Sequence, residues 1–201
     1  MATAKDIREL AKQQNELVMP PFAYHLTLVC YPAAYRTFQP RGPVPRISEF
    51  PNVKATLLLC CMDPRVQPHE FWNLNEQRPF GVVRNAGGRA QEFLKSAEVL
   101  TAIMANGRQP LGTVVVVHHT DCGMLNFSNE YIRNKIKSRS PHLTAEEISD
   151  LDQKDFGEFA DVDESVREDI EIIRKDPFLP KDLEVIGFVY DSFTGKTYEV
   201  V

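Results

Sequence analysis

The chain has 201 residues, 43% of them hydrophobic and 25% charged, with 23 Lys plus Arg against 28 Asp plus Glu and a net charge of −5. This is the balance of a folded domain with a sizeable core; it excludes global disorder and gives no reason to expect a nucleic-acid partner. No apolar run reaches the ~18 residues that cross a bilayer, and Asp6 and Glu9 interrupt the stretch where a signal peptide or presequence would stand, so no membrane and a cytoplasmic location are expected.

Residues 4–18 form the first predicted helix, with Ile7, Leu10, Ala11, Leu17 and Val18 near one face and Pro20-Pro21 stopping it. Residues 19–51 hold seven of the fourteen prolines together with Phe22, Tyr24, Tyr31, Tyr35, Phe38 and Phe50. Proline breaks helix and sheet alike, and a loose linker has no use for so many aromatics. The segment is therefore expected to be irregular and to pack on the domain or on another subunit. Residues 1–51 are thus an N-terminal helical arm and proline-rich segment, and residues 52–201 an α/β domain.

From Ala55 short apolar runs replace the prolines. Thr56 to Cys61, Phe80 to Val83 and Gly112 to Val117 suit strands of a mainly parallel sheet, buried on both faces. Between the second and third lies a helix over about 91–106, with Phe93, Ala97, Leu100 and Met104 on one face and Gly107 as its cap, which makes a right-handed crossover unit. Tyr131, Ile132 and Ile136 predict a helix over about 124–138. Thr144-x-x-Glu147 and Ser165-x-x-Glu168 look like capping boxes opening two more, the last ending before Pro177. Leu183 to Tyr190 is a fourth strand, Asp191 to Lys196 a turn, and Thr197 to Val201 a returning edge strand.

Ligands of open parallel sheets bind beyond the carboxyl ends of the strands. There the first run leads into Cys61-Met62-Asp63-Pro64-Arg65, the second into Gly87-Gly88, and the third into His118-His119-Thr120-Asp121-Cys122-Gly123. Two cysteines and one histidine suit zinc and leave one tetrahedral position free. A ligand standing alone, 58 residues before His119, is wrong for a zinc ribbon and natural for neighbouring strand ends. His118 and His119 lie four and three residues before Cys122, so spacing does not choose between them. Cys60 is assigned to core packing, Cys30 to a small buried role, and His25, His69 and His142 to the surface or loops. Zinc with two thiolates and a neutral imidazole has zero formal charge and needs help to hold hydroxide at neutral pH. An ionised Asp63 could accept a hydrogen bond from that hydroxide, and Arg65 would hold Asp63 ionised. A phosphatase-type Cys-x5-Arg is absent, because Val66 and Gln67 stand six residues after Cys60 and Cys61. A Cys–His thiol hydrolase would leave the second cysteine unexplained, and Gly-x-Gly-x-x-Gly does not occur.

In Cys61 to Arg65, Arg84-Asn85-Ala86-Gly87, Val114 to Met124, and Gly187 to Asp191 with Thr194-Gly195-Lys196, the chain resembles the β-class carbonic anhydrases, well over 54–125 and moderately over 183–201. The resemblance implies zinc on Cys61, His119 and Cys122, favouring His119 over His118, with Asp63 and Arg65 as the catalytic pair. It implies hydration of CO2 to bicarbonate by metal-activated water. It also implies a homodimer or homotetramer whose N-terminal helix, residues 4–18 here, reaches across to a neighbour. The stretch 19–51 is longer than in compact members of the family. The His-His-Thr-Asp-Cys-Gly-Met form is similar to a branch that includes carbonyl sulfide and carbon disulfide hydrolases, which makes carbonyl sulfide hydrolysis the alternative activity. A non-catalytic zinc protein is the lesser one, since a structural staple has no use for the Asp63–Arg65 pair. Val66, Phe71, Gly87, Gly88, Gly123 and Met124 are the candidate walls of a small, partly apolar substrate pocket.

Overall fold

Alternation along the strands decides where each side chain goes. The structure, a computed structural model, describes residues 3–16, 54–72, 80–104 and 111–200. Strand β1 runs over Ala55–Cys61, β2 over Gly81–Asn85, β3 over Leu111–His119, β4 over Glu184–Tyr190 and β5 over Thr197–Val200. They form one sheet in the order β2-β1-β3-β4-β5, parallel except for β5, which pairs antiparallel with β4. On one face Leu57, Leu59, Val114, Val116 and Val185 meet Phe93, Ala97, Val166, Ile170 and Ile173. On the other, Leu58, Cys60, Val115, Val117, Ile186 and Phe188 meet Ala4, Ile7, Ala11, Phe71 and Trp72. This is why β1 and β3 are apolar at nearly every position.

The expectation of strands buried on both faces holds for β1 and β3, buried throughout, but not for β2, which is half-buried. As an edge strand it has β1 as its single neighbour among the described residues. β2 and β3 lie on opposite sides of β1, so the helix between them, Ala90–Met104, carries the chain past the intervening strand.

Helix α1, Ala4–Glu16, is opened by a reciprocal pair. Thr3 Oγ1 accepts from the Asp6 N–H at 3.2 Å, and an Asp6 carboxylate oxygen accepts from the Thr3 N–H at 2.9 Å. The apolar face of α1 lies against the sheet. Ile7 is fully buried, a burial worth about 1.5–3 kcal/mol, and Arg8 pairs with Glu184 of β4 and Glu199 of β5. Residues 17 and 18, the segment 19–51 and Cys30 lie outside the described residues.

After β1 comes a one-turn helix α2, Pro68–Phe71; then, beyond β2, α3 is Ala90–Met104, α4 Asn129–Arg139, α5 Ala145–Gln153 and α6 Val162–Lys175. Two predicted boundaries are corrected. The helix expected over 124–138 is split into a 3-10 turn at Gly123–Leu125 and α4, because Ser128 caps α4 by accepting from the Tyr131 N–H at 3.1 Å. Thr144 and Glu147 do form a capping box, but Ser165 does not. Asp161, itself a good cap, accepts from the Glu164 N–H at 2.8 Å and starts α6 earlier. Ser165 then falls inside the helix, where its hydroxyl donates back to the Val162 carbonyl at 2.8 Å.

Candidate metal centre

The parallel register sets the ends of four strands level. Cys61 pairs with Asn85, Cys60 with Val117, and His119 with Tyr190, so the turns that follow converge at one edge of the sheet. There Cys61, His119 and Cys122 come together, all buried, with their ligating atoms within 4.8 Å of one another. The two sulfurs are 3.9 Å apart. Two thiolates at the Zn–S bond length of about 2.3 Å and a tetrahedral angle would be separated by about 3.8 Å, so the spacing fits a tetrahedral ion.

His119 has one nitrogen ready for such an ion. Ser192 Oγ donates to the Thr120 carbonyl at 2.8 Å, which leaves its lone pairs to accept from His119 Nδ1 at 3.2 Å. That fixes the tautomer and turns the lone pair of Nε2 inward. Nε2 is buried without a hydrogen-bond partner, an orphaned acceptor beside two sulfurs. The Asp191–Lys196 turn holds Ser192 in place: the Ser192 N–H donates to Thr120 Oγ1 at 2.9 Å and the Thr120 N–H to the Tyr190 carbonyl at 3.0 Å. The sequence marked this segment only as a turn.

Thiolate character is built into the same corner. The contact with Cys122 most of all, against the opposing effect of burial, pushes the Cys61 thiol well below its ordinary value, helped by the backbone N–H groups of Asp63 and Gly87. The same contact, followed by burial, pushes Cys122 the other way. A bound cation would hold both sulfurs as thiolates. Cys60 is different: it is fully buried in the core, and burial raises its thiol to about 12.

His118 belongs to another cluster. Its Nδ1 lies 2.6 Å from Ser165 Oγ, its Nε2 is 3.1 Å from the Gly88 carbonyl and 3.0 Å from Asp169, and its ring stacks on Phe159. Arg89, buried, approaches Asp169 and pairs with Glu168 at 3.1 Å. His69 and His142 are exposed, and His25 lies outside the described residues.

Asp63 and Arg65 face each other over the turn after β1. Arg65 Nε and Nη2 donate to the two carboxylate oxygens at 3.0 and 2.7 Å, and the Arg65 N–H adds a third bond at 2.9 Å. The guanidinium also donates from Nη1 to an Asp121 carboxylate oxygen at 2.7 Å and from Nη2 to the Asp121 carbonyl at 3.0 Å. Arg84, at the end of β2, wraps this turn, donating to the carbonyls of Cys61, Asp63 and Val66. Sequence reasoning assigned no role to Arg84, Asp121 or Ser192; for Arg84 the visible signal was its place directly after the apolar run Phe80 to Val83.

Gly87 and Gly88 have φ of 77° and 75°, and a Cβ on Gly88 would stand 3.0 Å from the Cys61 backbone nitrogen, so the turn presses against the end of β1. Asn85 closes that turn by donating from its side-chain amide to the Arg89 carbonyl and accepting from the Arg89 N–H. Met124 lies against Gly87. Val66 is fully buried, Phe71 stacks on Tyr190 at 4.5 Å, and Gly123 is exposed with open space where a Cβ would be. A cavity of about 420 Å³ lies elsewhere, beyond Arg89, among Glu158, Glu168, Glu171 and Lys175.

A sequence model described as carbonic anhydrase matches residues 56–197. The chain is 30% identical over 165 residues to β-carbonic anhydrase 1 of Mycobacterium tuberculosis, covering 80% of this chain and 88% of that one. It is also 30% identical over 168 residues to a carbon disulfide hydrolase of Acidianus, covering 75% and 79%. A carbonic anhydrase structure from Glaciozyma antarctica superposes with a TM-score of 0.68 at 30% identity over 88% of this chain and 98% of that one.

Proposed function

This chain belongs to the β-carbonic anhydrase family, and from that premise we propose that it hydrates CO2 to bicarbonate at a zinc ion held by Cys61, His119 and Cys122. The observation that carries the reading is the buried, unpartnered Nε2 of His119 beside two sulfurs 3.9 Å apart. Zinc, when bound, supplies Lewis-acid activation of a water at neutral pH. The chain supplies the rest. Asp63, ionised and held on both oxygens by Arg65, accepts a hydrogen bond from the attacking water and aligns its lone pair. Arg65 keeps that carboxylate charged and fixed. Val66, Phe71, Gly87, Gly88, Gly123 and Met124 are the walls we assign to the pocket, apolar as an uncharged linear substrate requires. We take the protein further as a cytoplasmic homodimer or homotetramer; among the described residues no helix is long and apolar enough to cross a membrane.

A second reading has its own support: the carbon disulfide hydrolase relative is as similar as the carbonic anhydrase. In that case water attacks carbonyl sulfide and releases carbon dioxide and hydrogen sulfide. One preparation assayed side by side for CO2 hydration and for sulfide release from carbonyl sulfide and carbon disulfide separates the two. Faster turnover of CO2 is expected. Sulfide release without CO2 hydration would replace the first reading by the second, and inertness toward all three would remove both.

A further inference from the structure

In the stretch His119-Thr120-Asp121-Cys122, the metal cluster leaves Asp121 without a role. It is the one non-glycine residue with positive φ among the described residues, at 56°, a conformation that costs an ordinary side chain free energy. That backbone brings two acceptors to Arg65, a carboxylate oxygen at 2.7 Å from Nη1 and the carbonyl oxygen at 3.0 Å from Nη2. Arg65 is therefore shared between two carboxylates on different turns: Asp63, which follows β1 and ligand Cys61, and Asp121, which stands between ligands His119 and Cys122 after β3. Asp63 and Arg65, two residues apart on one turn, could swing together as a unit while staying paired. A second anchor on the opposite turn removes that freedom.

We propose that Asp121 is a positioning residue, a clamp that acts through Arg65 to fix Asp63 relative to His119 and Cys122. The inference rests on the catalytic reading of the site. With the Asp121 side chain about half exposed, the pair is screened and adds little to stability, so its effect falls on orientation. A displacement near 1 Å at such a group costs about 100-fold in rate.

The test is Asp121→Gly in the full-length, zinc-loaded protein. Glycine accepts the left-handed backbone, so the turn keeps its shape while the carboxylate is lost. Expected are an unchanged or higher Tm, unchanged zinc content, a fall in kcat of roughly 10–100-fold with little change in KM, and faster motion of the Arg65 Nε–H group in 15N relaxation. Asp121→Asn, which tolerates the same φ and keeps one acceptor oxygen, should recover most of the loss. Full turnover with a rigid Arg65 in the glycine variant overturns the clamp. So does a lower Tm with lost zinc, which would mark a purely structural residue. Were the unmodified protein inert toward CO2, carbonyl sulfide and carbon disulfide, the catalytic reading would fall, and Arg65 relaxation alone would judge the clamp: loosened in the glycine variant supports it, unchanged overturns it.

Discussion

Asp63 accepts hydrogen bonds from the Arg65 side chain, which, against some burial and with the Arg65 N–H adding to it, lower its pKa from 3.8 to about 2. The charged form is the one favoured in the folded protein. Its contribution to stability is present above about pH 4 and is lost as pH falls through about 2. Across pH 5–9 Asp63 therefore does not titrate, and no inflection of kcat/KM in that range belongs to it. Asp63→Asn should keep its zinc and lose about 100-fold or more in kcat, while its residual activity shows the same inflections as the unmodified protein. A pH–rate profile of both checks this, and an inflection that vanishes in the variant would return it to Asp63.

At the scale of the element, the site depends on turns that press against strand ends. The Ala86–Gly88 turn meets the end of β1 so closely that a Cβ on Gly88 would lie 3.0 Å from the Cys61 nitrogen and 3.1 Å from the Cys60 carbonyl carbon, at a φ of 75° that disfavours any side chain. Backbone on backbone cannot yield as the end of a flexible side chain can. Gly88→Ala should thus cost about 2–4 kcal/mol from overpacking and the left-handed backbone together, lowering Tm on the order of 5–10 °C and weakening metal binding through displaced Cys61. Gly123→Ala is the control, with nothing within 4 Å and no positive φ; it should stay within about 0.5 kcal/mol. Calorimetry of the two variants makes the comparison. Equal melting temperatures would remove the close approach from the account of how Cys61 is held.

For the molecule as a whole, two apolar layers flank the sheet; one includes none of the proposed metal ligands, and the other includes Cys61 and Cys122 among twelve further buried residues. A resident ion should therefore tune this protein rather than fold it. Purified protein is expected to hold about one zinc per chain. Cys61→Ser should lose metal and activity together. Chelation should abolish activity while leaving a cooperative thermal transition, shifted down by the lost binding free energy. Metal analysis with calorimetry before and after chelation tests this. Loss of the cooperative transition on chelation would make the ion a staple of the fold.

What the sequence determined by itself was local chemistry and periodicity. Continuous apolar runs specified β1 and β3, since residues with no polar face can only lie between two layers, and the ligand types at Cys61, His119 and Cys122 stood at the ends of those runs. A capping signal was readable at Thr144, yet Ser165, with the same spacing to a glutamate, proved to be inside α6, because a cap at Asp161 came first and a buried histidine faced the hydroxyl. The choice between His118 and His119 lay beyond spacing. The resemblance favoured His119, and the tertiary structure supports it by surrounding the His118 ring with Ser165, Gly88 and Asp169 and leaving one nitrogen of His119 without a hydrogen-bond partner. Ser192, Arg84 and Asp121 became visible in the same way. Each acts on a residue remote in sequence, at distances set by strand order and register, and those are properties of the packed sheet that no local stretch of chain contains.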